Sequence, residues 1–411
     1  MFYAKMQLMA EISVQRLNWR QWCGFAATWE RIHNMCPDSS FFLSREWVDC
    51  WLAAFGEDLN PDLLAFVGDG DVVGCCLLVW RTQWVRGIPL RRVYLNCAGE
   101  DEADTTCTEY NSLLSLPDYA EPVAMALANF LRSRSWDELL LQGLAEHSSI
   151  YSAASSLGSA EIFESPAPYV DLCQLRRDAI DFDSVLSAKV RKNIRRSQRA
   201  YDRIAGTCTL RVAGSAEEAV SMLRQLAELH QAKWTDRGDR GAFGSPKAVA
   251  FHEALIRRSF NDGRILLFQV RTGQVLIGAL HCFLDRGWVR FYHAGYNYSL
   301  DTNSSPGLLT LYLTIRYCIG QPAFKTFDFL AGDSPYKRAF ATADHPLRWI
   351  VIRRLTAPSL LFRGLRWVKR TYVRILEKSR GKNQPSRGVE PSADVLVPKS
   401  ETGRVVGNAG K

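Results

Sequence analysis

The sequence holds eleven cysteines but no Cys-x-x-Cys pair. Its thiols are odd in number and lie mostly in apolar runs, as at Cys75-Cys76, Cys282 and Cys318. That pattern signals neither a zinc site nor a redox motif, so no metal is expected. Buried free thiols in a reducing cytosol are the default. A run of about eighteen apolar residues is also missing, so no spanning helix is expected. Met1–Ala10 has an apolar flavour, yet it is short and Lys5 interrupts it, so it does not read as the core of a signal peptide. The most basic stretch has no helix-turn-helix partner and no interleaved aromatics, so DNA is not an expected partner.

What is present is an ordinary globular composition: 411 residues, 47% hydrophobic and 23% charged. The length exceeds one typical core and suggests two domains. The formal charge of +8 suggests an anionic partner: a phosphate-bearing cofactor, an acidic membrane surface or nucleic acid.

The chain reads as alternating strands and helices. Glu11–Leu17 is a strand, Asn18–Ile32 a helix, and Ser44 caps a helix that runs to about Phe55. Leu63–Val67 and Val72–Trp80 form a hairpin across Gly68-Asp69-Gly70-Asp71. Arg91–Asn96 is a strand, Glu109 opens a further apolar segment, and Tyr119–Arg132 is a helix. Glu138–Gln142 is a strand, with a helix from His147 to Leu157. The second half repeats this order. Ile265–Val270 and Gln274–Phe283 match the earlier hairpin, and Thr326–Leu330 with its helix echoes Glu138–Gln142 with its own. An internal duplication is one reading; chance similarity of two α/β hairpins is the other.

Between the copies runs Ser184–Arg199, with Lys189, Arg191 and Lys192 on a cationic face. It is either a solvated helix surface or an anion clamp lining a cleft between domains. A strand, Thr207–Val212, and a helix, Ala216–Trp234, follow. A glycine-rich loop, Thr235–Gly244, is a binding flap or a plain connection. His230 and Trp234 close the helix before it. Ala248–Phe260 is a helix and Trp288–Tyr296 a central strand. Ser304-Ser305-Pro306-Gly307 then opens the helix Leu308–Ile319. Serines, a proline suited to the first helical position and a close-approach glycine make that helix start a fit for an anion.

The motif at the end of the second copy is Phe327-Asp328-Phe329-Leu330-x-Gly332-Asp333-x-x-Tyr336-Lys337-Arg338. A short strand turns at Ala331-Gly332 into a helix, with Asp333 as the expected cap. This motif resembles the signature of a bacterial acetyltransferase-like family in the GNAT superfamily, related to the Fem-type aminoacyltransferases and often associated with cellulose or exopolysaccharide biosynthesis. The run Leu186-Ser187-x-Lys189-x-Arg191-Lys192-Asn193-x-Arg195-Arg196 also resembles that family. The resemblance covers roughly Ser39–Arg354. It favours duplication and implies an α/β fold of tandem GNAT-like domains, each a mixed sheet flanked by helices. The expected division is 1–175 and 176–356, then a basic amphipathic helix at 357–380 and a disordered tail at 381–411.

In that fold the helix after the fourth strand binds the cofactor pyrophosphate, which here implicates Ser304, Ser305 and Gly307. Lys337 and Arg338 are either further phosphate ligands or an exposed helix face. The usual phosphate loop, Gln/Arg-x-x-Gly-x-Gly/Ala, is absent. Acetyl-CoA or another acyl-CoA is the expected donor, and an acyl carrier protein or aminoacyl-tRNA stays open. Acyl transfer needs a base, an oxyanion site and an acid. His293 and Asp333 are candidate bases and Tyr336 the candidate acid. His293 faces either the cleft or the core, because side chains alternate along a strand. Lys189, Arg191, Lys192, His230, Trp234 and Asp328 are candidate substrate contacts.

The implied activity is N-acyl transfer from a CoA-type thioester to an amine of a sugar or cell-envelope precursor. Fem-like transfer from aminoacyl-tRNA and a non-catalytic scaffold in polysaccharide assembly are the rivals. The expected location is cytoplasmic. The helix from Ala357 to Lys378, with Leu361, Leu365, Val368, Tyr372 and Leu376 on one side, either lies on the inner membrane or docks on the protein's own core.

Overall fold

A computed structural model describes residues 11–145, 148–235, 241–301 and 303–366. The N-terminal decapeptide, His147, Asp236–Arg240 of the glycine-rich loop, the helix expected beyond 366 and the tail at 381–411 lie outside the described residues.

The first half runs β1 (Ser13–Asn18), α1 (Trp22–Met35), α2 (Arg45–Leu59), β2 (Asp62–Gly68), β3 (Asp71–Val85), β4 (Ile88–Leu95), β5 (Leu114–Ser115), α3 (Ala120–Arg132), β6 (Glu138–Ala145), α4 (Ser149–Ser155) and β7 (Ser159–Asp171). Three linking helices follow: α5 (Leu172–Arg177), α6 (Phe182–Val185) and α7 (Ala188–Ala205). The second half runs β8 (Cys208–Val212), α8 (Ala216–Thr235), α9 (Pro246–Ser259), β9 (Ile265–Thr272), β10 (Val275–Asp285), β11 (Trp288–Tyr296), α10 (Pro306–Ile319), β12 (Thr326–Asp328), α11 (Pro335–Phe340) and β13 (Ala343–Arg353). Residues 357–366 are helical.

Local chemistry sets these boundaries. The Ser44 side chain accepts from the Trp47 amide and caps α2, and Asn60 ends that helix in the left-handed conformation. Arg86-Gly87 turns β3 into β4, with both residues at positive φ. Arg286-Gly287 makes the same turn between β10 and β11. Paired positive φ values match the twist of the flanking strands, which is why Gly occupies the second place in both.

The described strands form one sheet in the order β1-β2-β3-β4-β6-β13-β7-β12-β11-β10-β9-β8, with β5 beside β3. The halves repeat one topology, each a mixed sheet flanked by helices. In the first, β4 and β6 pair parallel over three residues, from Arg92↔Glu138 to Tyr94↔Leu140. In the second, β11 and β12 pair parallel over three residues, from Trp288↔Thr326 to Arg290↔Asp328. The last strands cross over. β13 of the second half lies between β6 and β7 of the first, antiparallel to both. The end of β7 pairs in turn with β12.

Helices cover both faces. On one face α1, α2, α8 and α9 share a single core, in which Trp47 and Phe42 of the first half pack on Phe283 and Phe251 of the second. On the other face of the second half, α5, α7 and α10 cover Val270, Leu280, Cys282 and Phe291. All eleven cysteines are free thiols, and only Cys23 is exposed.

β7 is thirteen residues long and was not foreseen. Its first half is exposed throughout, Ile162 and Phe163 included, so it shows none of the alternation that marks a half-buried strand. Helix 357–366 also differs from expectation in the face it docks. Phe362 is buried with Val85, Ile88 and Leu90, whereas Leu361 and Leu365 are exposed.

Candidate active site

After their short parallel pairing, each β4/β6-type pair of strands must part. The two halves treat the resulting gap differently. In the first half the chain's own backbone fills it. The Asn111 amide donates to Gly143 O on β6 at 3.1 Å, and its side-chain amide donates to Leu95 O on β4 at 3.1 Å. Asn96 Nδ2 adds bonds to Asn111 Oδ1 at 2.7 Å and to Ser112 O at 2.8 Å. A Cβ on Gly143 would come within 2.9 Å of Glu109 Cα, so this close packing needs glycine there.

In the second half β12 stops at Asp328, while β11 continues from Phe291 to Tyr296. Among the described residues no strand pairs with that edge of β11. A β-bulge lies here: His281 faces His293 across the ladder and Cys282 faces Phe291, so Tyr292 is the extra residue. Bulges re-aim side chains and are frequent beside active sites. This one puts Tyr292 and His293 on the same face, toward α8 and α9, and breaks the alternation on which the orientation of His293 turned. Tyr296, beyond the bulge, packs on the opposite face with α10.

The plug segment of the first half delivers two side chains to this gap. Glu109 is fully buried, and its Oε2 accepts from the Ala331 amide just past β12 at 2.8 Å. Its Oε1 has no hydrogen-bond partner. Burial pushes the Glu109 carboxyl up to about 7; the neighbouring Asp328 adds to the rise, and the Ala331 amide, Lys337 and Arg290 oppose it. Tyr110 donates its hydroxyl to Asp328 Oδ2 at 2.6 Å and lies 2.8 Å from His345 Nε2. The Arg290 guanidinium stacks 4.9 Å from the Tyr110 ring and reaches Asp285 at 3.6 Å and Asp328 at 4.0 Å. The Leu330 amide caps Asp328 Oδ1 at 2.8 Å. Asp328 therefore sits in a structural network, with Tyr110 as its nearest side-chain partner.

On the α10 face, the helix begins at Pro306 behind Ser305. The Ser305 amide donates to Ser197 Oγ of α7 at 2.9 Å, which holds the cationic helix against the helix start. Ser304 donates to Asp301 at 2.5 Å. The Tyr296 ring lies over Gly307, where a Cβ would approach it to 3.2 Å. Tyr336 is close enough to Tyr296 to raise its phenol pKa further, although burial is the main cause. Along α7, Lys189, Lys192 and Arg199 are exposed. Arg191 is not part of that open face: its Nη1 donates to Asp183 O at 3.0 Å and to Leu186 O at 2.5 Å.

On the other face, His230, His252, His281 and His293 gather with Tyr292, Trp234 and Phe243. The His293 ring lies 4.8 Å from His252, 4.6 Å from Phe243 and 6.5 Å from His230. Burial pushes His230 down to about 4 and His252 to about 3, and it pushes His281 and His293 well below the ordinary range. All four imidazoles are thus neutral at pH 7. The Tyr292 hydroxyl donates to Thr106 O, which ties this cluster to the first half.

Three expected site residues take different places. Ser334, not Asp333, holds the cap position of α11. Asp333 is exposed and pairs with Arg338 at 2.5 Å, and Arg338 also pairs with Asp344. Lys337 is buried, with Nζ donating to Ala331 O at 2.5 Å and Leu330 O at 3.2 Å. Its ammonium closes the turn after β12 and faces Glu109, not solvent. Leu330 itself adopts φ 58°, an unusual conformation for a leucine that this network holds in place. The structure brings Tyr336, Ser305 and Gly307 together on one face and His293, His230 and Trp234 on the other. Glu109, Tyr110, Arg290, His252 and His281 were not foreseen. An acid and a phenol set in the apolar segment that Glu109 opens were the one available signal.

Residues 188–338 match the family model of an acetyltransferase (GNAT) domain. The chain carries a GNAT-type acetyltransferase domain. The protein is accordingly an acyltransferase, and the matched segment holds the open gap, α7, α10 and α11. No curated protein matches the sequence. Solved structures share the fold, three of them over most of their own length. A conserved protein of unknown function from Bacteroides thetaiotaomicron aligns with a TM-score of 0.51 at 9% identity, over 80% of this chain and 97% of that one. FemX aligns with a TM-score of 0.50 at 9% identity, over 79% and 95%. The C-terminal domain of a putative lysylphosphatidylglycerol synthetase from Agrobacterium fabrum aligns with a TM-score of 0.50 at 8% identity, over 83% and 94%.

Proposed function

We propose that this acyltransferase moves an acyl group, acetyl in the simplest case, from a CoA-type thioester to an amine of a sugar or cell-envelope precursor, exopolysaccharide precursors included. The observation that carries the reading is the contrast between the two gaps. The first is plugged by backbone, whereas among the described residues the second leaves the edge of β11 unpaired beside the start of α10. An amide-bearing donor arm can pair with such an edge. Its phosphates would meet the helix start at Ser305 and Gly307, with Arg196 of α7, exposed and next to Ser197, as the cation beside it.

In this reading the donor enters from the α10 face. The acceptor amine enters from the α8/α9 face, lined by His230, Trp234 and His293. Glu109, supplied by the first half and titrating near neutrality, takes the amine proton as the C–N bond forms. Backbone amides at the bulge of β11 stabilise the tetrahedral oxyanion. The C–S bond then breaks, and Tyr336 protonates the leaving thiolate. Asp333, exposed and paired with Arg338, is set aside as the base.

Thermal unfolding with acetyl-CoA, longer acyl-CoAs and free CoA tests the donor. A ligand at a hundredfold its Kd adds about 2.7 kcal/mol. An upward shift with one chain length, lost in Gly307→Asp, is expected. Absence of any shift overturns the CoA version. The exposed cations of α7 favour one alternative, an aminoacyl-tRNA donor as in Fem-type transfer, for which activity would vanish on ribonuclease treatment.

A further inference from the structure

His252 on α9, His281 on β10 and His293 on β11 point at one another from three different elements. One ring nitrogen from each lies within 4.8 Å of the other two. Four of their six nitrogens are buried without a hydrogen-bond partner: His252 Nδ1, both nitrogens of His281, and His293 Nδ1. Buried imidazole nitrogens normally find a partner, so His281, which has none, needs another explanation. Phe251, Phe283 and Phe243 pack edge-on or tilted against the three rings at 4.9, 4.9 and 4.6 Å and supply no donor or acceptor.

We propose that His252, His281 and His293 bind one divalent transition-metal ion of the zinc class. Three neutral imidazoles are the ligand set such an ion takes, at about 2.0–2.1 Å per Zn–N bond. A tetrahedral site with those bonds spaces its nitrogens by about 3.3 Å, so side-chain shifts on the order of 1 Å close the present triangle. Chain spacing hides the set, because the three residues belong to no local Cys/His motif. The remaining coordination position is left for water. His230 is the next imidazole outward.

The test uses the full chain, stripped with a chelator and titrated with cobalt(II), followed by visible absorption and elemental analysis. The expected result is one cobalt per chain with tetrahedral bands, no thiolate charge-transfer band, and displacement by zinc. His252→Asn and His281→Asn should each weaken binding at least tenfold, with near-UV circular dichroism as the check on folding. Should either variant fail to fold, the wild-type spectrum still decides between nitrogen and thiolate ligands. No stoichiometric uptake, a thiolate band from the eleven cysteines, or uptake that is unchanged in folded His281→Asn overturns the proposal.

Discussion

Replacing Glu109 by Gln separates two consequences of one buried carboxyl. Glutamine keeps the size and can keep the Oε acceptor for the Ala331 amide, but it cannot take a proton from an amine. If Glu109 is the base, kcat should fall about 100-fold to 10,000-fold. The wild-type rate should rise with pH through about 7 and level above it, because the carboxylate is the active form. That limb should be missing in the variant. Stability should move the other way. The folded carboxyl holds its proton more tightly than the unfolded one, at about 7 against 4.5. Wild type therefore keeps its full stability below 4.5 and loses it as pH rises through 7. The loss is about 3 kcal/mol, at 1.36 kcal/mol per pH unit, and full burial leaves no solvent screening to discount. Urea unfolding at pH values on both sides of this window should show E109Q gaining on wild type by about that amount. A variant with activity within threefold of wild type refutes the catalytic role. A stability difference independent of pH refutes the electrostatic one.

Three further outcomes follow from the same packing. Arg290→Met leaves the buried Asp328 without its cation, while Asp285 keeps Arg264 at 3.1 Å, and should cost about 3 kcal/mol in urea unfolding. Gly241→Val places a branched side chain at φ 63°, where even a Cβ meets Gln231, His230 and Trp234 within 2.9 Å; a lower Tm and an altered near-UV tryptophan signal are expected. Lys189→Glu with Lys192→Glu should weaken binding of an anionic donor at least tenfold at low salt and less at high salt, while Tm in the absence of donor stays close to wild type, since both side chains are exposed.

The elements with strong local signals were legible. The Asp69-Gly70 turn, the Ser44 cap, the strand Trp288–Tyr296 and the helix after Pro306 all stand where their residues point. The repeat was legible too, because turn glycines and apolar runs recur in order. Exposed β7 was not, since a strand whose partners arrive from the other end of the chain need not alternate. The residues proposed for the donor side, Ser305, Gly307 and Tyr336, lie at the starts of α10 and α11, which Pro306 and Pro335 mark in the sequence. The face proposed for the acceptor had no such marker. A single extra residue at Tyr292 decides where His293 points, and that residue is visible only as a slip in pairing register. Glu109 was hidden for a different reason: its chemistry comes from a gap formed by the other half, and the acid and phenol of its apolar segment do not say where that gap lies.

The crossing of β13 into the first half has a consequence for synthesis. The gap between β6 and β7 closes only when residues 343–353 pair there, close to the end of the described chain. A ribosome delivers the first half long before that strand exists. Until it arrives, the facing edges of β6 and β7 present open backbone groups, which are templates for pairing with other chains. Truncation shortly before Ala343 should therefore yield insoluble protein and not a folded first half. The two halves live or fail as one translation product.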